Sequence, residues 1–134
     1  RLCGLPMRIF VTKPFARFAR QERIADHVLR NAALHADRGI VDVDLGGGVL
    51  KIRIPRAGGG KSGGYRTILL YRRRGIAFFV YGFAKSERAN IRSDELAAFR
   101  ELADRMLAMN AEALRAACNQ GTIRELEQHD PTGT

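Results

Sequence analysis

Apolar and polar positions change period twice along this chain, which divides it into a helical start, a strand-rich middle and a helical end. Met7–Thr12 (MRIFVT) is rich in β-formers and predicts a first strand. Thr12 is suited to cap a short helix running to Ala19, with Pro14 in its first turn. From about Glu22 to Asp37, the residues Ile24, Val28, Leu29, Ala32 and Ala36 recur at helical spacing, and Gly39 stands just past the end of that stripe.

The middle alternates. Val41–Leu45 is strictly apolar-polar and reads as a half-buried strand, and Gly46–Gly48 forms the turn after it. Leu50, Ile52 and Ile54 fall on one face of the next strand, and Lys51 and Arg53 on the other. A glycine-rich loop, Pro55–Gly64, leads to two strong strands, Tyr65–Arg72 and Ile76–Ala84, joined as a hairpin. Beyond Ser93, which is suited as an N-cap, the residues Leu96, Phe99, Leu102, Ala103, Met106, Ala113 and Ala117 mark one closing helix. The order predicts an α+β fold: an N-terminal strand, two helices, a mainly antiparallel twisted sheet and a C-terminal helix. A single domain is expected over residues 7–118, with 1–6 and 119–134 as flexible extensions.

Charge sharpens this outline. The net charge is +9, from 23 basic and 14 acidic residues. Between Leu45 and Ser86 there is no acid, while Lys51, Arg53, Arg56, Lys61, Arg66, Arg72, Arg73, Arg74 and Lys85 are all basic. A field of one sign concentrated in a third of the chain points to a polyanion, nucleic acid above all. No apolar run approaches the about 20 residues of a membrane span. Two cysteines, Cys3 and Cys118, cannot make a disulfide framework, and with three scattered histidines they offer no zinc pattern. A reducing cytoplasm, no metal, no cofactor and no membrane partner are the expectations.

Several features are ambiguous on their own. The loop Gly58–Gly64 contains Gly-Lys-Ser but lacks the earlier glycine and the following helix of a nucleotide-binding P-loop. Tyr65, Tyr71 and Tyr81 are either base-stacking partners or core-edge residues. His27, His35 and His129 all lie outside the basic segment, so no histidine general base is apparent.

Two phrases together are more specific. Lys61-Ser-Gly-Gly-Tyr-Arg-Thr-Ile68, followed by Phe79-Val-Tyr-Gly-Phe-Ala-Lys-Ser-Glu-Arg-Ala-Asn-Ile91, resembles the RelE/HigB-like toxins of type II toxin–antitoxin systems, in the RelE/ParE superfamily. The likeness extends from Met7 to about Ala117, because the order of elements agrees as well. It implies a cytoplasmic, metal-independent endoribonuclease, an mRNA interferase that enters the ribosome, cuts mRNA and blocks translation. It also implies a cognate antitoxin, often with a helix-turn-helix DNA-binding domain. On this resemblance Lys51 and Arg53 match the family's basic pair on the central strand, Arg66 its arginine after Gly-Tyr, and Lys85 and Arg88 its basic phrase. Ser86 and Arg92 depart from it, standing where well-known members have an arginine and a tyrosine.

The expected division of labour follows from the chemistry of RNA cleavage, which must deprotonate a 2′-hydroxyl, stabilise the phosphoryl charge and protonate the leaving oxygen. Arg66 is the expected phosphoryl stabiliser, and Lys51 or Lys85 the proton-handling group. Arg53, Arg56, Lys61 and Arg88 are expected to bind the RNA. Two other classes remain open: a toxin of this fold acting on a protein such as DNA gyrase, and a non-catalytic RNA-binding protein.

Overall fold

The structure, a computed structural model, describes residues 7–56, 64–73 and 75–127. The chain starts with β1 (Arg8–Thr12), and Thr12 then turns it into α1 (Lys13–Gln21). Its Oγ1 accepts a hydrogen bond from the Phe15 N–H at 3.4 Å, which satisfies one of the donors a helix leaves open at its start. The second helix, α2 (Asp26–Asp37), begins later than its apolar stripe suggested. The reason is local: Arg23 takes a left-handed backbone (φ 58°) and Ala25 an extended one, so residues 22–25 form a corner.

The strands β2 (Val43–Gly46), β3 (Val49–Ile54), β4 (Tyr65–Arg72) and β5 (Ile76–Ala84) follow. They join β1 and a last strand, β6 (Ile123–Glu125), in one sheet of order β2-β3-β4-β5-β1-β6. Only the β1–β5 pairing is parallel, and the other four are antiparallel. The fold is therefore α+β, as the alternation of periods predicts.

Both faces of the sheet are covered. Ile9, Val11, Leu50, Ile52, Ile54, Leu69 and Phe79 pack on one side with Phe15 and Ala19 of α1 and Leu29, Ala33 and Ala36 of α2. Phe10, Val49, Ile68, Leu70, Phe78 and Val80 form the other side. There they meet Ala103 of α3 (Ser93–Met106) and Leu114 of α4 (Ala111–Gln120). Tyr65 and Tyr71 pin the helical layer from the sheet: Tyr65 donates its O–H to Glu22 at 2.9 Å, and Tyr71 to Asp37 at 2.5 Å.

The end of the chain departs from the pattern in three places. The single closing helix is two helices, because Asn110 interrupts it and its Oδ1 accepts the Ala113 N–H at 2.8 Å to cap α4. Arg92 rather than Ser93 holds the cap position of α3, and its N–H donates back to Glu95 at 2.7 Å. Within the stretch expected as a C-terminal extension, Ile123 and Leu126 are buried and β6 pairs with β1. Arg8 on β1 and Glu125 on β6 add a two-pronged ion pair at 2.8 Å. Residues 1–6 and 128–134 lie outside the described residues. No helix among the described residues is long and apolar enough to cross a membrane.

Candidate nucleic-acid interface

Strand register decides which cations meet. Ile52 and Ile54 point into the α1/α2 layer, so alternation puts Lys51 and Arg53 on the opposite face. Arg53 pairs with Arg66 and Lys51 with Ile68, and directly paired residues share a face. Lys51, Arg53 and Arg66 therefore stand together on the α3 side of the sheet, where α3 and α4 bury the neighbouring apolar half. Tyr81 joins them, paired with Ile68, and Phe83 is paired with Arg66.

Each side chain is held differently. Arg66 is only 17 % exposed. Its Nε lies 3.6 Å from Asp42 Oδ2, and its Nη1 is buried without a hydrogen-bond partner among the described residues. Lys51 Nζ donates to Asn90 Oδ1 at 3.3 Å. The same Asn90 oxygen accepts the Ile91 N–H at 2.9 Å, and the Asn90 carbonyl accepts from Arg88 Nε at 3.0 Å. Neither Asp42 nor Asn90 stood out in the sequence, since only the folded register brings them to Arg66 and Lys51.

Arg88 is committed to an internal network. It donates to Tyr81 Oη at 2.8 Å and to Glu95 at 2.6 Å, and its guanidinium lies 5.3 Å from the centre of the Phe83 ring. Arg88 in turn holds the Glu95 carboxyl down to about 2, with the Arg92 N–H adding to the effect. The phrase Phe83–Ile91 thus builds a braced turn between β5 and α3, with Lys85 and Ser86 exposed at its tip. The Lys85 N–H donates to the Gly64 carbonyl at 3.2 Å, which ties that tip to the start of β4.

Arg56, Tyr65 and Tyr71 stand apart from the cluster. Arg56 lies on the α1/α2 side, at a cleft shared with Glu22, Arg23 and Tyr65. Lys61, and with it the Gly-Lys-Ser loop, is outside the described residues. Of the three tyrosines only Tyr81 reaches the basic face, since Tyr65 and Tyr71 serve the helical layer. Burial raises the Tyr65 phenol above its ordinary range, and the hydrogen bond to Glu22 adds to this. Among the described residues no group of His, Cys, Asp or Glu has the arrangement to hold a metal ion.

A family model for the RelE toxin of the RelE/RelB toxin–antitoxin system matches residues 7–126. The chain belongs to the RelE toxin family. The match runs from β1 through β6, so it includes the sheet, both helical layers and the braced turn. No curated protein matches the chain. RelE membership makes the protein a toxin of a toxin–antitoxin system and implies a cognate antitoxin as its partner.

Proposed function

We infer that this RelE-family toxin is an endoribonuclease that cuts mRNA on the ribosome and so blocks translation. The observation that carries the reading is the state of Arg66. It is four-fifths buried on a face shared with Lys51 and Arg53, its ion pair to Asp42 is long, and one guanidinium nitrogen has no acceptor among the described residues. A buried donor without an acceptor is costly in the free protein and is satisfied when an anion arrives. That nitrogen has almost no accessible surface, so the side chain turns outward to meet a phosphoryl oxygen, whose geometry guanidinium matches.

In this mechanism Arg66 stabilises the charge on the phosphoryl group. Lys51, fixed by Asn90 beside it, handles the proton at the 2′- or 5′-oxygen, and Lys85 at the tip of the turn is the other candidate. Arg53 holds the backbone of the strand, and Tyr81 with Arg88 above it forms the rigid floor. His27 and His35 lie outside the basic segment in sequence, but in the fold they line a cleft with Asp42 and Arg53. The ribosome positions the message in this reading, and orientation alone supplies a large part of a rate. The antitoxin is expected to carry a helix-turn-helix domain and to be encoded alongside. Induced expression followed by mapping of transcript ends tests the reading. Cuts within translated codons support it; growth arrest with intact transcripts would instead identify a protein-directed toxin such as a gyrase inhibitor, and RNA retention without new ends a binding protein.

A further inference from the structure

The outer side of α1 carries a second line of cations, on the far side of the sheet from Lys51, Arg53 and Arg66. Lys13, Arg17 and Arg20 are spaced i, i+4 and i+7, so they share one stripe of the helix, and it faces away from the core. Phe15 and Ala19, on the opposite stripe, are buried against the sheet. The line runs about 10 Å along the helix at about 1.5 Å per residue. None of its side chains has a hydrogen bond or ion pair among the described residues. The nearby acids are already engaged: Glu22 accepts from Tyr65 at 2.9 Å, and Asp26 holds Arg124 at 2.9 Å.

Arg23 extends this line against a local rule. The Ile24 N–H bonds to the Ala19 carbonyl at 2.8 Å and the Arg23 N–H to the Arg20 carbonyl at 3.2 Å, the paired closure that ends a helix through a left-handed residue. Glycine is the usual occupant, because a β-carbon crowds the backbone at positive φ. Arg23 fills the position at φ 58°, exposed and with no side-chain hydrogen bond or ion pair among the described residues to offset the strain. A side chain kept where the fold prefers none points to a use outside the fold. Arg56 stands across an open cleft of about 490 Å³ from Arg23 and prolongs the line towards the end of β3.

We propose that this ridge, Lys13, Arg17, Arg20 and Arg23 with Arg56 at its end, docks the phosphate backbone of folded ribosomal RNA, a second RNA surface separate from the strand held at Lys51 and Arg66. The inference rests on the reading of the protein as a ribosome-directed toxin. Arginine outnumbers lysine in the ridge, which favours phosphate over a diffuse acidic surface. The apolar stripe of α1 is buried in the core, so the helix has none left to insert into a lipid surface. The six-stranded sheet lies between the ridge and the face that carries Lys51 and Arg66. A rigid helix is suited to shape-based reading of an RNA duplex, whose backbone it meets without sequence preference.

The test compares Arg17→Gln/Arg20→Gln/Arg23→Gly with Lys51→Ala/Arg66→Ala in binding to purified ribosomes across a salt series. The ridge variant is expected to bind about tenfold or more weakly, and its salt slope to fall by about one for each phosphate it no longer holds. Its melting temperature should equal or exceed wild type, because Arg23→Gly relieves the left-handed strain, so weaker binding cannot be put down to unfolding. The Lys51/Arg66 variant should bind ribosomes nearly as wild type and cut nothing. Wild-type ribosome affinity in the ridge variant overturns the proposal, as does a defect confined to antitoxin binding, which would make the ridge a protein dock. If the Lys51/Arg66 variant still cuts while the ridge variant fails to bind, the cleavage site is misassigned and the ridge stands.

Discussion

Arg66 and Asp42 face one another across β3, with Nε 3.6 Å from Oδ2, and that carboxylate lies beside the guanidinium assigned to the phosphoryl group. The separation is too long for a strong charge-assisted hydrogen bond, so Asp42 restrains Arg66 without saturating it.

A bound phosphate would share this space with the carboxylate. Two like charges about 4 Å apart cost about 1 kcal/mol in water-like surroundings, a factor of about five in affinity. Asp42→Asn should therefore strengthen RNA binding about fivefold, read by fluorescence anisotropy with a non-cleavable RNA. Weaker binding would mean that Asp42 is needed to aim Arg66.

Glu95 links charge to folding. Its carboxyl sits at about 2, because it accepts from Arg88 first and from the Arg92 N–H second. A carboxylate depressed on folding stabilises the protein above its unfolded value near 4.5 and loses that contribution as pH falls towards 2. The braced turn should thus hold at about pH 4 and open between about pH 4 and 2. Carboxyl NMR of Glu95 should titrate near 2; a midpoint near 4.5 would show that the Arg88 network is not formed in solution.

Gly82, in the Tyr-Gly-Phe step of β5, is required by space. A β-carbon there would lie 2.4 Å from Phe18 Cε2 and 3.1 Å from Phe15 Cε1, two rings of the packed α1 layer. Gly82→Ala should destabilise by about 1–3 kcal/mol, the usual cost of overpacking a core. Urea unfolding measures it, and an unchanged midpoint would show that α1 moves aside freely.

The fold was largely readable because most elements carry their own period. Leu50, Ile52 and Ile54 against Lys51 and Arg53 declare which side of β3 is wet. The same parity, carried through Pro55, would have put Arg56 with Ile52 and Ile54 on the helical side, where it is found. β5 is the opposite case. Its run Ile76–Ala84 is apolar almost throughout, and a bulge opposite Ile68/Leu69 shifts its parity. Phe78 and Val80 then face the α3 side, yet so do Tyr81 and Phe83. Nothing in so apolar a run marks such a shift. The partners of the site residues were hidden for a related reason: Asp42 meets Arg66 and Asn90 meets Lys51 only through long-range pairing. The break at Asn110 did have a signal, since asparagine is a strong helix cap, but the apolar stripe on both sides of it hid the break.

The central claim is that Arg66 stabilises the phosphoryl charge while mRNA is cut on the ribosome. Arg66→Ala, assayed beside wild type with purified translating ribosomes and end-labelled message, tests it most directly. Removing one donor to the developing charge costs about 10²–10³ in rate. The account predicts a fall of that size with ribosome binding retained, and Arg66→Lys should recover little, because a point charge does not reproduce the planar fork. Equal cleavage by Arg66→Ala and wild type would contradict it.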